Sequence, residues 1–85
     1  MAKAVKIYTT RYCGYCRMAK QLLAHSGVAY EEIDVTGDDR TREWLVEATG
    51  RYTVPQIFIG DDSIGGYDDL STLDRTGELA ERLAG

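Results

Sequence analysis

The two cysteines of this chain, Cys13 and Cys16, are separated only by Gly14 and Tyr15. A Cys-x-x-Cys pair can cycle between a dithiol and a disulfide, and between a strand and a helix it is typical of thiol–disulfide redox sites. An apolar, β-branched run, residues 5–10, precedes the pair, and a helical pattern follows it. The spacing therefore predicts a redox site.

The predicted helix start distinguishes the two sulfurs. Unpaired N–H groups at a helix N-terminus carry partial positive charge and stabilise an anion, such as the thiolate of Cys13. Arg11, Arg17 and Lys20 add positive charge nearby. Cys16 lies one turn later on the same helix face, farther from the helix end. We therefore expect Cys13 to act as the nucleophile and Cys16 to resolve the mixed disulfide that Cys13 forms.

Three other interpretations of the pair compete with this one. A structural zinc site needs about four ligands, and the remaining candidate, His25, lies at the far end of the same predicted helix. Two inert buried thiols would not explain a position at a helix start. A metal cluster shared between two chains stays open at this point.

The first half of the chain reads as a strand, a helix and a second strand. The strands are predicted at residues 5–10 and 28–35, and the helix runs from about Cys13 to Ser26, with Gly27 after its end. Short joints between such elements indicate a βαβ unit, whose strands are parallel and whose crossover is right-handed.

The second half adds a helix, a hairpin and a final helical pattern. The helix is predicted at residues 38–49, and two apolar runs, 53–60 and 63–65, flank an acidic turn and indicate an antiparallel hairpin. The last pattern begins near Tyr67 and is interrupted at Gly77. The expected fold class is α/β, with one four-stranded sheet flanked by helices on both faces.

The composition limits the classes of function. A chain of 85 residues with a net charge of −4 predicts one domain over residues 1–85, and it argues against a nucleic-acid partner, which would require a basic face. No apolar run approaches the ~20 residues that span a membrane. The N-terminal residues lack the apolar region of a signal peptide. We therefore expect a cytoplasmic protein, in a reducing compartment where such cysteines are catalytic or bind metal.

Two further segments contain candidate binding residues. In residues 53–55 the Val54 backbone could pair with an extended thiol peptide, although the segment could also simply be the start of a strand. Residues 65–69 begin with two glycines that permit close backbone approach. There a helix N-terminus could bind a carboxylate while Asp68 or Asp69 accepts an ammonium group. The alternative for this second segment is an ordinary glycine turn with acidic capping.

With Cys13-x-x-Cys16, residues 53–55 and residues 65–69 in this order, the chain resembles the glutaredoxins, specifically the short bacterial dithiol type. The resemblance extends from Val5 to about Leu83 and implies a thioredoxin fold with a mixed sheet. It also implies a glutathione-dependent oxidoreductase that reduces protein disulfides and glutathione mixed disulfides, contributing to electron transport and cell redox homeostasis. The implied partners are glutathione and glutathionylated or disulfide-bonded proteins, and the implied state is a monomer.

The resemblance assigns roles to individual residues. Cys13 would take the glutathionyl group and Cys16 would resolve it. Pro55 would be in the cis form, and Arg42 matches a position that holds the glycine carboxylate. The backbone of glutathione would bind residues 53 and 54, and its γ-glutamyl head residues 67 and 68. The complete expected glutathione-binding set is Thr10, Arg11, Tyr15, Arg42, Thr53, Val54, Pro55, Gly66, Tyr67 and Asp68.

The chain departs from the family pattern in two places. Dithiol members usually have proline after the first cysteine, where this chain has Gly14, and proline is preorganised for the first helical position. The family often has a lysine three residues before the first cysteine, where this chain has Thr10, followed by Arg11. The Cys-Gly-Tyr-Cys motif also resembles the mycoredoxins, which use a different small thiol.

Gly14 also motivates an alternative function. Glycine at this position occurs in family members that hold an iron–sulfur cluster between two chains. In that alternative the protein is a scaffold or carrier for a 2Fe–2S cluster, and it dimerises only when the cluster is bound. Two copies of Cys13 and two glutathiones would give the four thiolates that the cluster needs. Without such a cluster we expect no metal site.

Overall fold

This computed structural model describes residues 3–84 of the chain, which form four strands and four helices. The element order confirms the predicted sequence of βαβ unit, helix, hairpin and interrupted helix. The elements are β1 (Val5–Thr9), α1 (Gly14–His25), β2 (Glu31–Asp34), α2 (Asp39–Thr49), β3 (Gln56–Ile59), β4 (Asp62–Gly65), α3 (Tyr67–Thr76) and α4 (Glu78–Ala84).

The four strands form one mixed sheet in the order β2-β1-β3-β4. β1 pairs with β2 in parallel, and β3 is antiparallel to both β1 and β4. In the β1–β3 ladder, Tyr8 is opposite Gln56, so the end of β1 and the start of β3 meet at one edge of the sheet. The register therefore brings the segment that leads to Cys13 close to residues 53–55.

Helices cover both faces of this sheet, as predicted, because side chains alternate in direction along each strand. On one face, Ile7 and Ile57 pack against buried residues of α1, α3 and α4, including Leu23 and Leu70. On the opposite face, an aromatic cluster packs against α2. The members of this second group of buried residues are Tyr8, Val35, Leu45 and Phe58.

The element ends agree closely with the sequence signals. Asp38 caps α2 by accepting the backbone N–H of Thr41 at 3.1 Å, and Gly50 and Gly77 end α2 and α3 with φ angles of 73° and 83°. Such positive φ angles favour glycine because it has no Cβ. The ends of these helices are thus encoded locally.

The strands β2, β3 and β4 differ slightly from their predicted extents, and β3 begins at Gln56 rather than at residue 53. The ladder between β1 and β2 begins at the Lys6–Glu31 pair, so residues 28–30 lead into the strand without belonging to it. β4 begins at Asp62, opposite Ile59, which shortens the predicted acidic turn. No helix within residues 3–84 is long and apolar enough to cross a membrane.

Candidate active site

Cys13 occupies the N-cap position of α1, as the sequence predicted. Its backbone is extended, with φ −121° and ψ 108°, and its sulfur accepts the backbone N–H of Cys16 at 3.1 Å. An N-cap side chain normally satisfies one of the unpaired N–H groups of the first helical turn. The sulfur of Cys13 takes this role, and it therefore lies where the helix favours negative charge.

The loop that precedes β3 packs against Cys13 from the other side. The Cys13 thiol donates to the Val54 carbonyl oxygen, with an Sγ–O distance of 3.5 Å. The Val54–Pro55 peptide bond is cis, as the resemblance implies. Cys13 is half-buried between α1 and this loop. The Cys13 thiol and the backbone of residue 54 are therefore parts of one site.

Cys16 has a different environment, although it belongs to the same motif. It is 1% exposed, and burial, followed by the hydrogen bond with Cys13, raises its pKa to about 12. Both cysteines are free thiols. A buried, protonated thiol one turn from Cys13 is suited to an internal attack on a mixed disulfide rather than to reaction with molecules in solution.

A groove of about 290 Å³ extends from Tyr15, next to the cysteines, to the N-terminus of α3. The rings of Tyr15 and Tyr67 are 6.3 Å apart across one wall. The structure thus brings together most of the residues expected to bind glutathione. The groove is lined by Tyr15, Arg51, Thr53, Val54, Pro55, Gly66, Tyr67, Asp68 and Asp69.

The N-terminus of α3 forms the far end of the groove. The carboxylate of Asp69 accepts the Gly66 N–H at 3.0 Å and pairs with Arg51 Nη1 at 3.1 Å. The bond from Gly66, followed by Arg51, lowers the pKa of Asp69. Within residues 3–84 the Asp68 carboxylate has no hydrogen bond or ion pair. Asp69 therefore orders the turn, while Asp68 can meet a ligand.

Gly65 makes this turn possible. Its φ of +101° is in the region that favours glycine, and a Cβ at this position would overlap the Asp69 carboxylate and approach Arg51 Nη1 within 3.1 Å. The close packing of Asp69 onto the turn thus requires the absence of a side chain.

Arg42 lies in an adjoining hollow rather than in the groove. The hollow, about 240 Å³, shares Arg51, Thr53 and Val54 with the groove. The Arg42 guanidinium donates to the Tyr52 carbonyl oxygen at 3.2 Å. Arg42 is thus close to residue 53 of the groove and could contact a ligand that extends beyond it.

Thr10 and Arg11 do not line the groove, although both belong to the expected binding set. The Arg11 side chain faces the end of β2, where Nε is 3.9 Å from Asp34 Oδ2. The Arg11 backbone N–H donates to Thr36 Oγ1 at 2.9 Å, and this bond fixes the turn. The Thr10 backbone forms a hydrogen bond with the Cys16 thiol that lowers the Cys16 pKa.

Arg51 is a groove residue that the sequence reasoning missed. It pairs with Asp69, which is 18 residues later in the chain, so no local pattern indicated the contact. The sequence offers Asp69 as an ammonium acceptor, but the expected binding set does not include it. A metal site is not evident in the described chain: residues 3–84 contain no cluster of three or more His, Cys, Asp or Glu side chains that could bind an ion.

Comparisons with known proteins agree with this site. The family model described as glutaredoxin matches residues 5–64. The chain is 48% identical over 75 residues to glutaredoxin 3 of Escherichia coli, and the alignment covers 88% of this chain and 90% of that protein. It is 49% identical over 80 residues to a glutaredoxin of Pseudomonas aeruginosa, which covers 94% of this chain and 95% of that protein.

Solved structures show the same architecture. The buckwheat glutaredoxin–glutathione complex superposes with a TM-score of 0.90 and 33% identity, covering 96% of this chain and 77% of that one. The solution structure of the glutaredoxin of Brucella melitensis gives a TM-score of 0.86 and 44% identity, and the match covers 96% of this chain and 89% of that one. The sheet and helices described above are therefore a thioredoxin-like fold. Together with Cys13 and Cys16 at the start of α1, these likenesses show that the chain belongs to the glutaredoxin family of thiol–disulfide oxidoreductases.

Proposed function

We propose that this protein is a glutathione-dependent oxidoreductase that reduces glutathione mixed disulfides and protein disulfides. The observation that carries the proposal is the continuity of the groove, which begins beside the cysteines and ends at the N-terminus of α3. A tripeptide with a central thiol and charged ends suits such a groove. Support also comes from the buckwheat relative, whose structure is a complex with glutathione.

The groove offers a complementary group to each part of glutathione. The backbone of residues 53 and 54 can pair with the extended tripeptide, as in strand addition. At α3, the first N–H groups can bind the α-carboxylate of the γ-glutamyl head, and Asp68 can accept its ammonium group. Arg42, in the adjoining hollow, can bind the glycine carboxylate. In this orientation the glutathione sulfur faces Cys13.

The reaction proceeds by thiol–disulfide exchange. The Cys13 thiolate attacks the glutathione sulfur of a glutathionylated protein, a Cys13–glutathione disulfide forms, and the protein thiolate leaves and takes up a proton. A second glutathione then attacks the glutathione sulfur of this disulfide, which releases glutathione disulfide and restores the Cys13 thiolate. Alternatively, Cys16 attacks the sulfur of Cys13, which forms the Cys13–Cys16 disulfide and releases glutathione. For a disulfide within a protein substrate, Cys16 provides the second thiol.

The partners and setting follow from this cycle. The protein substrates are glutathionylated or disulfide-bonded proteins, and a monomer is sufficient because every proposed group belongs to one chain. A reducing compartment such as the cytoplasm supplies the reduced glutathione that the cycle consumes. The 2Fe–2S alternative needs thiolates from outside a single chain, and the groove geometry supports the redox function better.

The proposal is tested with a Cys16→Ser variant exposed to glutathione disulfide. Mass spectrometry should find one glutathionyl group on Cys13, and a coupled assay with a glutathionylated peptide should show activity that saturates with glutathione. Cys13→Ser should lose this activity. Retained activity in Cys13→Ser, or faster turnover with a different small thiol than with glutathione, would contradict the proposal.

A further inference from the structure

A partly buried polar network joins α1, β1 and β2 beside the active-site cysteines. Thr9, which is 1% exposed, donates from Oγ1 to Glu32 Oε2 at 2.8 Å, and Lys20 Nζ donates to the same oxygen at 3.0 Å. β1 and β2 thus hold an ammonium group of α1 in one position. The hydrogen bond with Glu32 is the main cause that raises the pKa of Lys20, so Lys20 stays charged.

Lys20 lies one turn after Cys16 on α1, and residues four apart share a helix face. The Lys20 side chain is 32% exposed, so solvent screens its charge only in part. The groups that act on the Cys16 sulfur are Cys13, the backbone of Thr10 and the ammonium of Lys20. Lys20 is the cation in this set, and it opposes the effect of burial.

The environment of Cys16 changes when Cys13 enters a mixed disulfide. In the dithiol form, the hydrogen bond and the charge of Cys13 both raise the pKa of Cys16. A sulfur in a disulfide carries no charge and no thiol proton, so these two contributions are lost. Burial then raises the pKa of Cys16, and the Thr10 backbone and Lys20 lower it. The relative contribution of Lys20 to the Cys16 pKa is therefore larger at the step in which Cys16 must attack.

That step has a simple balance. The Cys16 thiol loses its proton to solvent, and its sulfur attacks the sulfur of Cys13. The Cys13–Cys16 bond forms, the bond between Cys13 and the bound thiol breaks, and the released thiolate takes up a proton. The Cys16 sulfur is oxidised and the leaving sulfur is reduced.

We propose that Lys20, held by Glu32 and Thr9, is a positioning residue that promotes the attack of Cys16 on the mixed disulfide. The sequence groups Lys20 with the basic residues around Cys13, whereas its position on α1, one turn after Cys16, associates it with the resolving cysteine. The inference rests on the redox roles of the two cysteines, and it does not depend on glutathione as the thiol.

The test is a stopped-flow reaction of the reduced protein with equimolar dithiobis-nitrobenzoate, whose released thiolate absorbs visible light. The first release reports the attack by Cys13, and the second, which is independent of probe concentration, reports the attack by Cys16. We expect Lys20→Met to slow the second release relative to the first. A tenfold loss of Cys16 thiolate would slow the second release about threefold, since it is offset by roughly threefold greater nucleophilicity.

Two further variants separate charge from structure. The quantity compared is the ratio of the second release rate to the first. Lys20→Arg keeps the positive charge and should restore most of this ratio. Lys6→Met removes a lysine that is exposed on β1 and should leave the ratio unchanged. The free energy of unfolding of each variant is measured alongside, and Lys20→Gln replaces Lys20→Met if the latter does not fold. An unchanged ratio in Lys20→Met, or equal slowing in Lys20→Arg, overturns the inference. Loss of both releases in the unmodified protein would instead contradict the proposed redox function.

Discussion

The sulfur of Cys13 lies 3.5 Å from the carbonyl oxygen of Val54, which is 41 residues later in the chain. The contact exists because β1 and β3 are antiparallel neighbours, so the segment after β1 and the segment before β3 meet at one sheet edge. The proposed nucleophile and the backbone proposed to hold its substrate are thus positioned by the two central strands.

The two thiols should differ strongly in reactivity toward a reagent in solution. Cys16 is 1% exposed and its pKa is about 12, whereas Cys13 is half-buried at the helix N-terminus. At neutral pH we expect iodoacetamide to modify Cys13 at least about a hundredfold faster than Cys16, because only the thiolate reacts. Peptide mass spectrometry after timed alkylation measures both rates. Comparable labelling of the two cysteines would show that Cys16 is not protected as described.

Gly65→Ala should destabilise the protein and weaken glutathione binding. The added Cβ would need a φ of +101° and would overlap Asp69, so we expect a loss of roughly 2 kcal/mol in the free energy of unfolding. Gly66→Ala is the matched control, since its φ is −99° and its Cβ would meet the Pro55 carbonyl oxygen at 3.3 Å. Urea unfolding compares the variants. Equal losses in both would mean that the conformation of Gly65 is not the cause.

Asp69 should make the stability of the turn depend on pH. The Gly66 N–H, followed by Arg51, lowers the pKa of Asp69 in the folded state. A lowered carboxyl pKa contributes stability above the ordinary value of about 3.9, and this contribution is lost as the pH falls through the folded-state value. The free energy of unfolding should therefore fall on acidification, and Asp69→Asn should flatten that fall.

The flattening should be partial, because Glu32, Asp34 and Asp38 also have lowered pKa values. Asp69 is partly exposed, with 43% of its side chain accessible, so its share is that of a screened pair. Urea unfolding at a series of pH values below neutral gives both curves. Identical curves for the variant and the unmodified protein would contradict the prediction.

Arg42→Met should raise the KM for glutathione about fivefold with little change in kcat. The guanidinium adjoins residue 53 in the hollow next to the groove, and a partly exposed hydrogen bond to a carboxylate contributes about 1 kcal/mol. An effect on binding alone raises KM without changing kcat. Arg40→Met, on the exposed part of the same helix, is the control. An unchanged KM in Arg42→Met would exclude Arg42 from the glutathione site.

Much of the architecture could be predicted from local signals. The periodicity of apolar residues and the glycines at helix ends, such as Gly50 and Gly77, depend on backbone conformation within a few residues. The prediction of Cys13 at the start of α1 has the same origin, because it needs only the boundary between a strand pattern and a helix pattern. The edges of β2 were less predictable, because its ladder begins only where β1 provides a partner.

The sequence by itself determined the order of the elements, the redox-active pair and the distinction between its two sulfurs. Only the tertiary structure decided which distant side chains meet: Arg51 with Asp69, Arg11 with Asp34, and Lys20 with Glu32. The parallel register that places Glu32 opposite Ile7 determines where its carboxylate lies relative to α1. Such pairings depend on sheet register and helix packing, which join residues far apart in the chain, and no local periodicity encodes them.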